Sequence, residues 1–251
     1  MNWMRILLFA VIGFAAQLID GTLGMAYGVS CRTFLKTVAG LPSAVASAVV
    51  HAAEVPTTLV SGLSHLKLKN VDLSLLWRLL LPGIVGGVLG AWFLADVGDA
   101  LEPVIDLYLI AMGVVILCKA LRKQRKERHI GRAIYPLGLA GGFLDATGGG
   151  GWGPVVTSTM LAAGHDVKKT VGTVNTAEFL VTVAETTTFV VLLQDFTAYW
   201  QTILGLVAGG VLAAPLAAWL CKKIPARPLL FIVGLLIIGL NVYNFLTWLP
   251  V

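Results

Sequence analysis

Long apolar runs separated by short polar turns dominate this chain, and their lengths set the predicted elements. Residues 75–95, 104–121, 203–220 and 229–249 are nearly continuous in Leu, Ile, Val, Ala, Gly and aromatics. A run of about 20 such residues suits a helix that crosses a bilayer. Nothing alternates with helices as the strands of a soluble α/β domain do. The opening "MNWMRILLFAVIGFAAQ" has the Arg, apolar run and small residues of a cleavable signal. The residues that follow it recur later in the chain, so we expect it to be retained as part of the first structural unit. The pattern predicts an all-α polytopic membrane protein.

The pattern is also written twice. Laying residues 17–35 over 142–160 pairs Asp20 with Asp145, Thr22 with Thr147, Gly24 with Gly149, Tyr27 with Trp152 and Gly28 with Gly153. One residue of drift later, "AVVHAAEV" (48–55) falls on "GTVNTAEF" (172–179), pairing His51 with Asn175 and Glu54 with Glu178. "GGVLGA" (86–91) then matches "GGVLAA" (209–214), and Gly113 falls on Gly234. Two membrane repeats, 1–122 and 132–251, are joined by a basic linker at 123–131. Gly86-x-x-x-Gly90 and Gly205-x-x-x-Gly209 let helix backbones approach closely, and their equivalent positions place these two helices together near a pseudo-twofold axis.

Charge decides how the halves are oriented. We expect each half to be a re-entrant or broken helical hairpin followed by three transmembrane helices. With the linker cytoplasmic, Lys67, Lys69, Arg78, Lys168, Lys169, Lys222, Lys223 and Arg227 then lie inside, and only Arg5, Arg32 and Lys36 lie outside. The acidic turn with Asp96, Asp99 and Glu102 and the "QDFTAYW" turn (194–200) also fall outside. Eight plain crossings would put the second set of lysines outside. The positive-inside rule therefore favours inverted repeats, with three crossings in each half.

Composition agrees: 57% of residues are hydrophobic and 12% charged, against about 25% charged in a soluble domain. The net charge of +5 does not call for nucleic acid. The linker "KALRKQRKERHIGR" (119–132) accounts for it and fits an anionic cytoplasmic leaflet. Cys31, Cys118 and Cys221 have no metal-ligand or CxxC spacing. The four histidines are dispersed, so neither a metal, a cofactor nor an intramembrane redox or hydrolytic enzyme is expected.

Chemistry concentrates at two interruptions, "DGTLGMAYG" (20–28) and "DATGGGGWGP" (145–154). Irregular backbone at membrane depth survives only where protein buries it or where it lines a cavity. Interruptions at matching places in two halves point to a transporter's central site. Gly148, Gly150 and Gly153 fit G-x-G-x-x-G, but no strand precedes them, and no Lys-Ser/Thr follows for a P-loop. The helices restarting near Val29 and Val155 would aim N-terminal N–H groups at the site, which suits an anion. A purely structural hairpin tip is the competing reading.

The candidate substrate-binding residues are Gly24, Tyr27, Gly28, Arg32, His51, Gly149, Gly150, Gly151, Trp152, Gly153, Asn175 and Thr176. Asp20 and Asp145 would stabilise the hairpins. Glu54 lies eleven residues past Ser43, a plausible helix start, hence about 16 Å along the helix, and Glu178 lies ten past Lys168. Both approach the midplane of a core about 30 Å thick, where an ionised carboxylate costs on the order of 2.5–3.5 kcal/mol. They are candidate proton-coupling or site-stabilising groups. His51 and Asn175 precede them by three residues on the same helical face. Two readings of Arg32 stay open: it faces the anion, or it snorkels to the outer interface. Tyr27 and Trp152 either line the site or pack.

"GFLDATGGGGWGP", "HAAEV", "VNTAEF" and "SGLSH…NVD" resemble the TauE/SafE sulfite-exporter family, also called TSUP, over almost the whole chain. The resemblance implies a secondary transporter in the inner membrane of a bacterium or archaeon. Its substrate would be a small sulfur-containing anion: sulfite, thiosulfate or an organosulfonate such as sulfoacetate. The family's glycine-rich element carries over to Gly148 through Gly153 and, in weaker form, to Gly21 through Gly28, whose "GTLGMAYG" lacks the continuous glycines. The expectation is therefore alternating-access transport of such an anion, with protons the candidate coupling ion. A passive anion channel of the same fold is the alternative. Partners are the anion and the lipid bilayer, with a homodimer left open.

Overall fold

The computed structural model describes residues 3–121, 131–193, 196–221, 223 and 226–248. The basic linker expected at 123–131 lies outside the described residues except for Gly131, as does Lys222. Ten α-helices and no strand occur among the described residues: α1 (Trp3–Leu23), α2 (Tyr27–Ala39), α3 (Ser43–Lys67), α4 (Leu73–Val97), α5 (Glu102–Leu121), α6 (Ile134–Gly148), α7 (Ser158–Ala162), α8 (Val167–Leu192), α9 (Trp200–Leu220) and α10 (Ala226–Trp248). One π-helical turn, Gly153–Thr157, leads into α7.

Helices α1, α3, α4, α9 and most of α10 are long and apolar enough to cross a membrane. At 26 residues α8 reaches about 39 Å, but it carries Glu178, Glu185 and a threonine-rich stretch. The outer surface is apolar, with Leu81, Trp92, Leu212 and Val191 exposed, as lipid-facing side chains must be. Trp3, Trp200, Trp219 and Trp248 sit at helix ends, the level at which amphipathic indoles favour the membrane interface.

The polar residues are inside. The centre of the bundle is the pair α3 and α8, each packed also on a GxxxG helix, α3 on α9 and α8 on α4. Helices α3 and α8 run antiparallel: Ser61 bonds Asn175 (2.8 Å), while His51, ten residues earlier in α3, meets Glu185, ten residues later in α8. Helices α5 and α10 also cross antiparallel, with Gly113 against Ile238 and Gly234 against Leu117.

The GxxxG motifs correct one expectation. Helices α4 and α9 do not pair with each other; each lies on the first arm of the opposite half. Gly86 abuts the Leu139 carbonyl and Phe143 amide of α6, and Gly90 the Phe143 carbonyl. Gly209 abuts the Ala10 carbonyl and Phe14 amide of α1, and Gly205 the Ile6 carbonyl. The two motifs make the same kind of backbone contact, α4 on α6 and α9 on α1. The helices that do pair with their counterparts are α3 with α8 and α5 with α10.

The two ends of the bundle differ in charge. Lys169 Nζ donates to the Val71 carbonyl (2.9 Å), and the Asp72 amide donates to Thr173 Oγ1 (2.8 Å). The α3–α4 turn and the start of α8 thus share one end with Lys67, Lys69 and Lys168. A cleft there is lined by Asn70, Lys168, Trp219 and Lys223. At the opposite end Lys36 forms an ion pair with buried Asp106 (2.8 Å), while Thr33 and Thr37 bond Asn241 and Asn244 of α10.

Candidate functional site: two crossed helix breaks

Each break is a short piece of backbone in a conformation that side chains oppose. In the first, Gly24 has φ 70° and Ala26 φ 95°; in the second, Gly149 has φ 64° and Gly150 φ 146°. Ala26 matters because a Cβ in left-handed space is strained by about 1–2 kcal/mol. The plainer first copy therefore makes the same kind of break as the glycine-rich one, held by its surroundings. The second arms begin at Tyr27 and Gly153, two residues before the expected restarts. Pro154 occupies the opening turn, where its missing N–H is harmless.

The breaks cross each other. A Cβ on Gly28 would come within 2.6 Å of the Gly149 carbonyl and the Gly150 Cα. A Cβ on Gly153 would come within 2.5 Å of the Gly24 carbonyl and the Met25 Cα. These are repeat-related contacts, since Gly28 corresponds to Gly153 and Gly149 to Gly24. Only glycine lets the two backbones approach this closely.

An aspartate closes each break. Asp145 Oδ1 accepts the amides of Gly151 (2.6 Å) and Trp152 (3.0 Å); Asp20 Oδ1 accepts that of Tyr27 (3.5 Å). Helix N-terminal donors that would suit an anion are thus occupied by the chain's own carboxylates in this conformation. The aromatics that follow are anchors. Trp152 is buried, its Nε1 donates to the Val174 carbonyl (3.1 Å), and its ring lies against Gly83 of α4. Tyr27 Oη donates to the Leu206 carbonyl (3.4 Å).

Arg32 does not snorkel outward. It is fully buried, donates from Nη2 to Ser43 Oγ (2.9 Å), and lays its aliphatic stem against Gly149. The guanidinium therefore stands beside the crossing. Glu54 is buried too, with Oε1 close to Gly28, and Glu178 is 5% exposed. Measured from the observed helix starts, Ser43 and Val167, both glutamates are the eleventh residue on.

His51 faces Glu185 rather than Glu54. Its Nε2 lies 3.0 Å from Glu185 Oε2 and 3.8 Å from Asp145 Oδ2, while Nδ1 lies 2.7 Å from the Ser47 carbonyl. His51, Asp145 and Glu185 each place one ligand atom within 4.8 Å of the others, close enough to share a cation. Asn175 and Thr176 are spent on helix contacts: Asn175 accepts from Ser61 and donates to the Val171 carbonyl, and Thr176 donates to the Gly172 carbonyl beside Gly62.

Sequence reasoning overlooked three residues here. Glu185 lies seven residues past Glu178, two turns along the same face, and that spacing was the available signal. Tyr108 of α5 sets its ring against Gly148 and its hydroxyl against Gly151. His65 contacts the Gly21 carbonyl through Nε2 (3.2 Å) and Asn70 through Nδ1 (3.1 Å). Neither of the last two has a repeat-related polar partner to mark it.

Comparison with known proteins agrees with this architecture. The family model described as "Sulfite exporter TauE/SafE" matches residues 9–244. The "Probable membrane transporter protein YtnM" of Bacillus subtilis (strain 168) is 43% identical over 245 residues, covering 94% of this chain and 81% of that protein. No solved structure matches. A helical bundle with buried, repeat-related breaks and a family match across nearly its whole length makes this chain a membrane transporter of the TauE/SafE sulfite exporter family.

Proposed function

We propose that the protein is a secondary transporter of a small sulfur-containing anion, a sulfur oxyanion or an organosulfonate, working by alternating access between inverted repeats. The observation that carries this is the crossing of the breaks: Gly28 on Gly149 and Gly153 on Gly24, with Arg32 buried beside them. Irregular backbone is kept at this depth where it serves a central site, and a guanidinium there selects for negative charge. The antiparallel courses of α3 against α8 and α5 against α10 support inversion, because each pair joins equivalent helices. The gathering of Lys67, Lys69, Lys168 and Lys223 at one end supports a cytoplasmic face there, in a bacterial or archaeal cell membrane with the basic linker inside.

In this reading the anion sits between Arg32 and the Gly149–Gly153 segment. The aspartates act as tethered stand-ins: Asp145 fills the amide cradle of Gly151 and Trp152 in the closed state and must yield part of it when an anion enters. Thr157 and Tyr108, buried hydroxyls with no hydrogen-bond partner among the described residues, offer further donors. Rocking of one half against the other slides α3 along α8 and uncrosses the breaks. The test is flux of labelled sulfite, thiosulfate, sulfoacetate, taurine and sulfate into proteoliposomes. At least one sulfur anion should enter, and Arg32→Ala should reduce its uptake at least tenfold. Flux unchanged by Arg32→Ala would sink the site assignment, and transport that never runs uphill under any ion gradient would leave a passive channel.

A further inference from the structure

The contact between His51 and Glu185 brings hydrogen-bond acceptors face to face. His51 Nδ1 lies 2.7 Å from the Ser47 carbonyl, which can only accept, so Nδ1 carries a hydrogen. The Ser47 hydroxyl donates to the Ala146 carbonyl (2.7 Å) and is not the source of that hydrogen. A neutral His51 therefore presents a bare Nε2 lone pair to Glu185 Oε2 at 3.0 Å. Around it, Asp145 Oδ2, both Glu185 oxygens and Glu54 Oε2 have no hydrogen-bond partner among the described residues. All are fully buried or nearly so. An acceptor-only cluster in dry protein is repulsive unless a cation enters it.

The repeat identifies that cation. His51 corresponds to Asn175 and Glu185 to Ser61, and Ser61 Oγ donates to Asn175 Oδ1 at 2.8 Å. The equivalent contact in the other half of the interface is thus closed by one hydrogen supplied by a hydroxyl. At His51–Glu185 neither partner brings a fixed hydrogen, so it must be taken up.

We propose that His51 and Glu185 bind one exchangeable proton across the α3–α8 interface, and that this proton is the coupling ion of the transporter. The coupling role rests on the anion-transport reading above; the proton site itself does not. With the proton bound, the contact is attractive and holds α3 to α8. When it leaves, an imidazole lone pair and a carboxylate face each other at 3.0 Å, and the interface loosens along the surface on which the halves slide. Asp145 transmits the change, since one oxygen faces His51 at 3.8 Å while the other holds the second break. Asp145 on α6 and Glu54 on α3 face the pair, with Glu178 farther along α8. Asp20 on α1 lies beyond Glu54, and Tyr108 on α5 lies near both Asp145 and Arg32 of α2. The Asn175–Ser61 mate does not titrate, so the α3–α8 interface binds one proton rather than two.

The experiment uses the full chain in proteoliposomes, with labelled thiosulfate and sulfoacetate as probes and the membrane potential clamped. One pH unit is worth 1.36 kcal/mol per proton, so one coupled proton drives about tenfold accumulation of a transported probe. Glu185→Gln, and the double variant His51→Asn with Glu185→Ser, which copies the neutral mate, should lose gradient-driven accumulation relative to their own flux without a gradient. Ser61→Ala should keep it. Accumulation in either of the first two matching the parent overturns the coupling role.

If the parent protein moves neither probe, the transport reading fails, and the proton site is judged by a second measurement. In ¹⁵N-histidine NMR of the purified protein, one ring, absent in His51→Asn, should gain and lose a single Nε2 proton with pH. Glu185→Gln should shift that transition. An unshifted His51 ring, or a metal ion bound in one-to-one amount and lost in Glu185→Gln, overturns the proton site.

Discussion

The two break-closing aspartates look alike in sequence but should not weigh alike. Asp145 Oδ1 accepts two amides at 2.6 and 3.0 Å, whereas Asp20 Oδ1 accepts one at 3.5 Å, the limit of a hydrogen bond. Bonds to an ionised acceptor contribute about 1.5–3 kcal/mol each. Asp145→Ala therefore removes about 3–6 kcal/mol, and Asp20→Ala about 1 kcal/mol or less. Removing a buried charge offsets part of the first figure, but the stranded Gly151 and Trp152 amides each cost about 1–3 kcal/mol in turn. At about 2–4 °C per kcal/mol for a chain of this size, the melting temperature in detergent should fall by roughly 10 °C for Asp145→Ala. For Asp20→Ala the fall should be no more than about 4 °C. Asp145→Asn keeps an oxygen in place without the charge and should lie between, since neutral bonds are about half as strong. Equal melting temperatures for the two alanine variants would refute the claim that the second break depends more on its carboxylate.

Four further outcomes are expected. Ala26→Gly relieves about 1–2 kcal/mol of left-handed strain against about 0.5–1 kcal/mol of added chain entropy, so the melting temperature should hold or rise slightly. Gly149→Ala, at φ 64° with Arg32 against it, should lower both melting temperature and anion flux. Gly209→Leu forces α9 off the α1 backbone, and monodisperse yield on size-exclusion chromatography should drop sharply. Lys36→Ala strands Asp106 in the interior and should cost about 3–5 kcal/mol by thermal unfolding, with Lys36→Met plus Asp106→Leu recovering most of it.

Which features were legible follows from what a sequence repeat can encode. Pairing Gly24 with Gly149 and Gly28 with Gly153 marked positions that meet at the crossing, but as candidate anion contacts and not as backbone-to-backbone contacts. That Glu54 and Glu178 stand at matching places along α3 and α8 was legible from residue spacing alone. What escaped depends on register between helices far apart in the chain. Nothing local says that the residue ten past Asn175 lands opposite His51; the antiparallel course of α3 and α8 decides it. The direction of Arg32 escaped likewise, since burial follows from Ser43 and Gly149, which other elements supply. The GxxxG pairs announced that some backbone approaches closely, but not whose.

Charge balance ties these observations together. Among the described residues the core holds Asp20, Glu54, Asp145, Glu178 and Glu185, all buried, against Arg32, His51 and His65, with buried Asp106 already paired to Lys36. Each ionised carboxylate near the midplane costs on the order of 2.5–3.5 kcal/mol, so five ionised acids and one guanidinium are not a tenable ground state. Adding an anion would make the imbalance worse. In the proposed transport reading, the positive charge that accompanies an anion beside Arg32 is lodged at the acceptor-only contact of His51 and Glu185. The excess of buried acids therefore does not argue against an anionic substrate. In that reading, the single proton of His51 and Glu185 supplies the compensating charge when the anion binds and leaves with it.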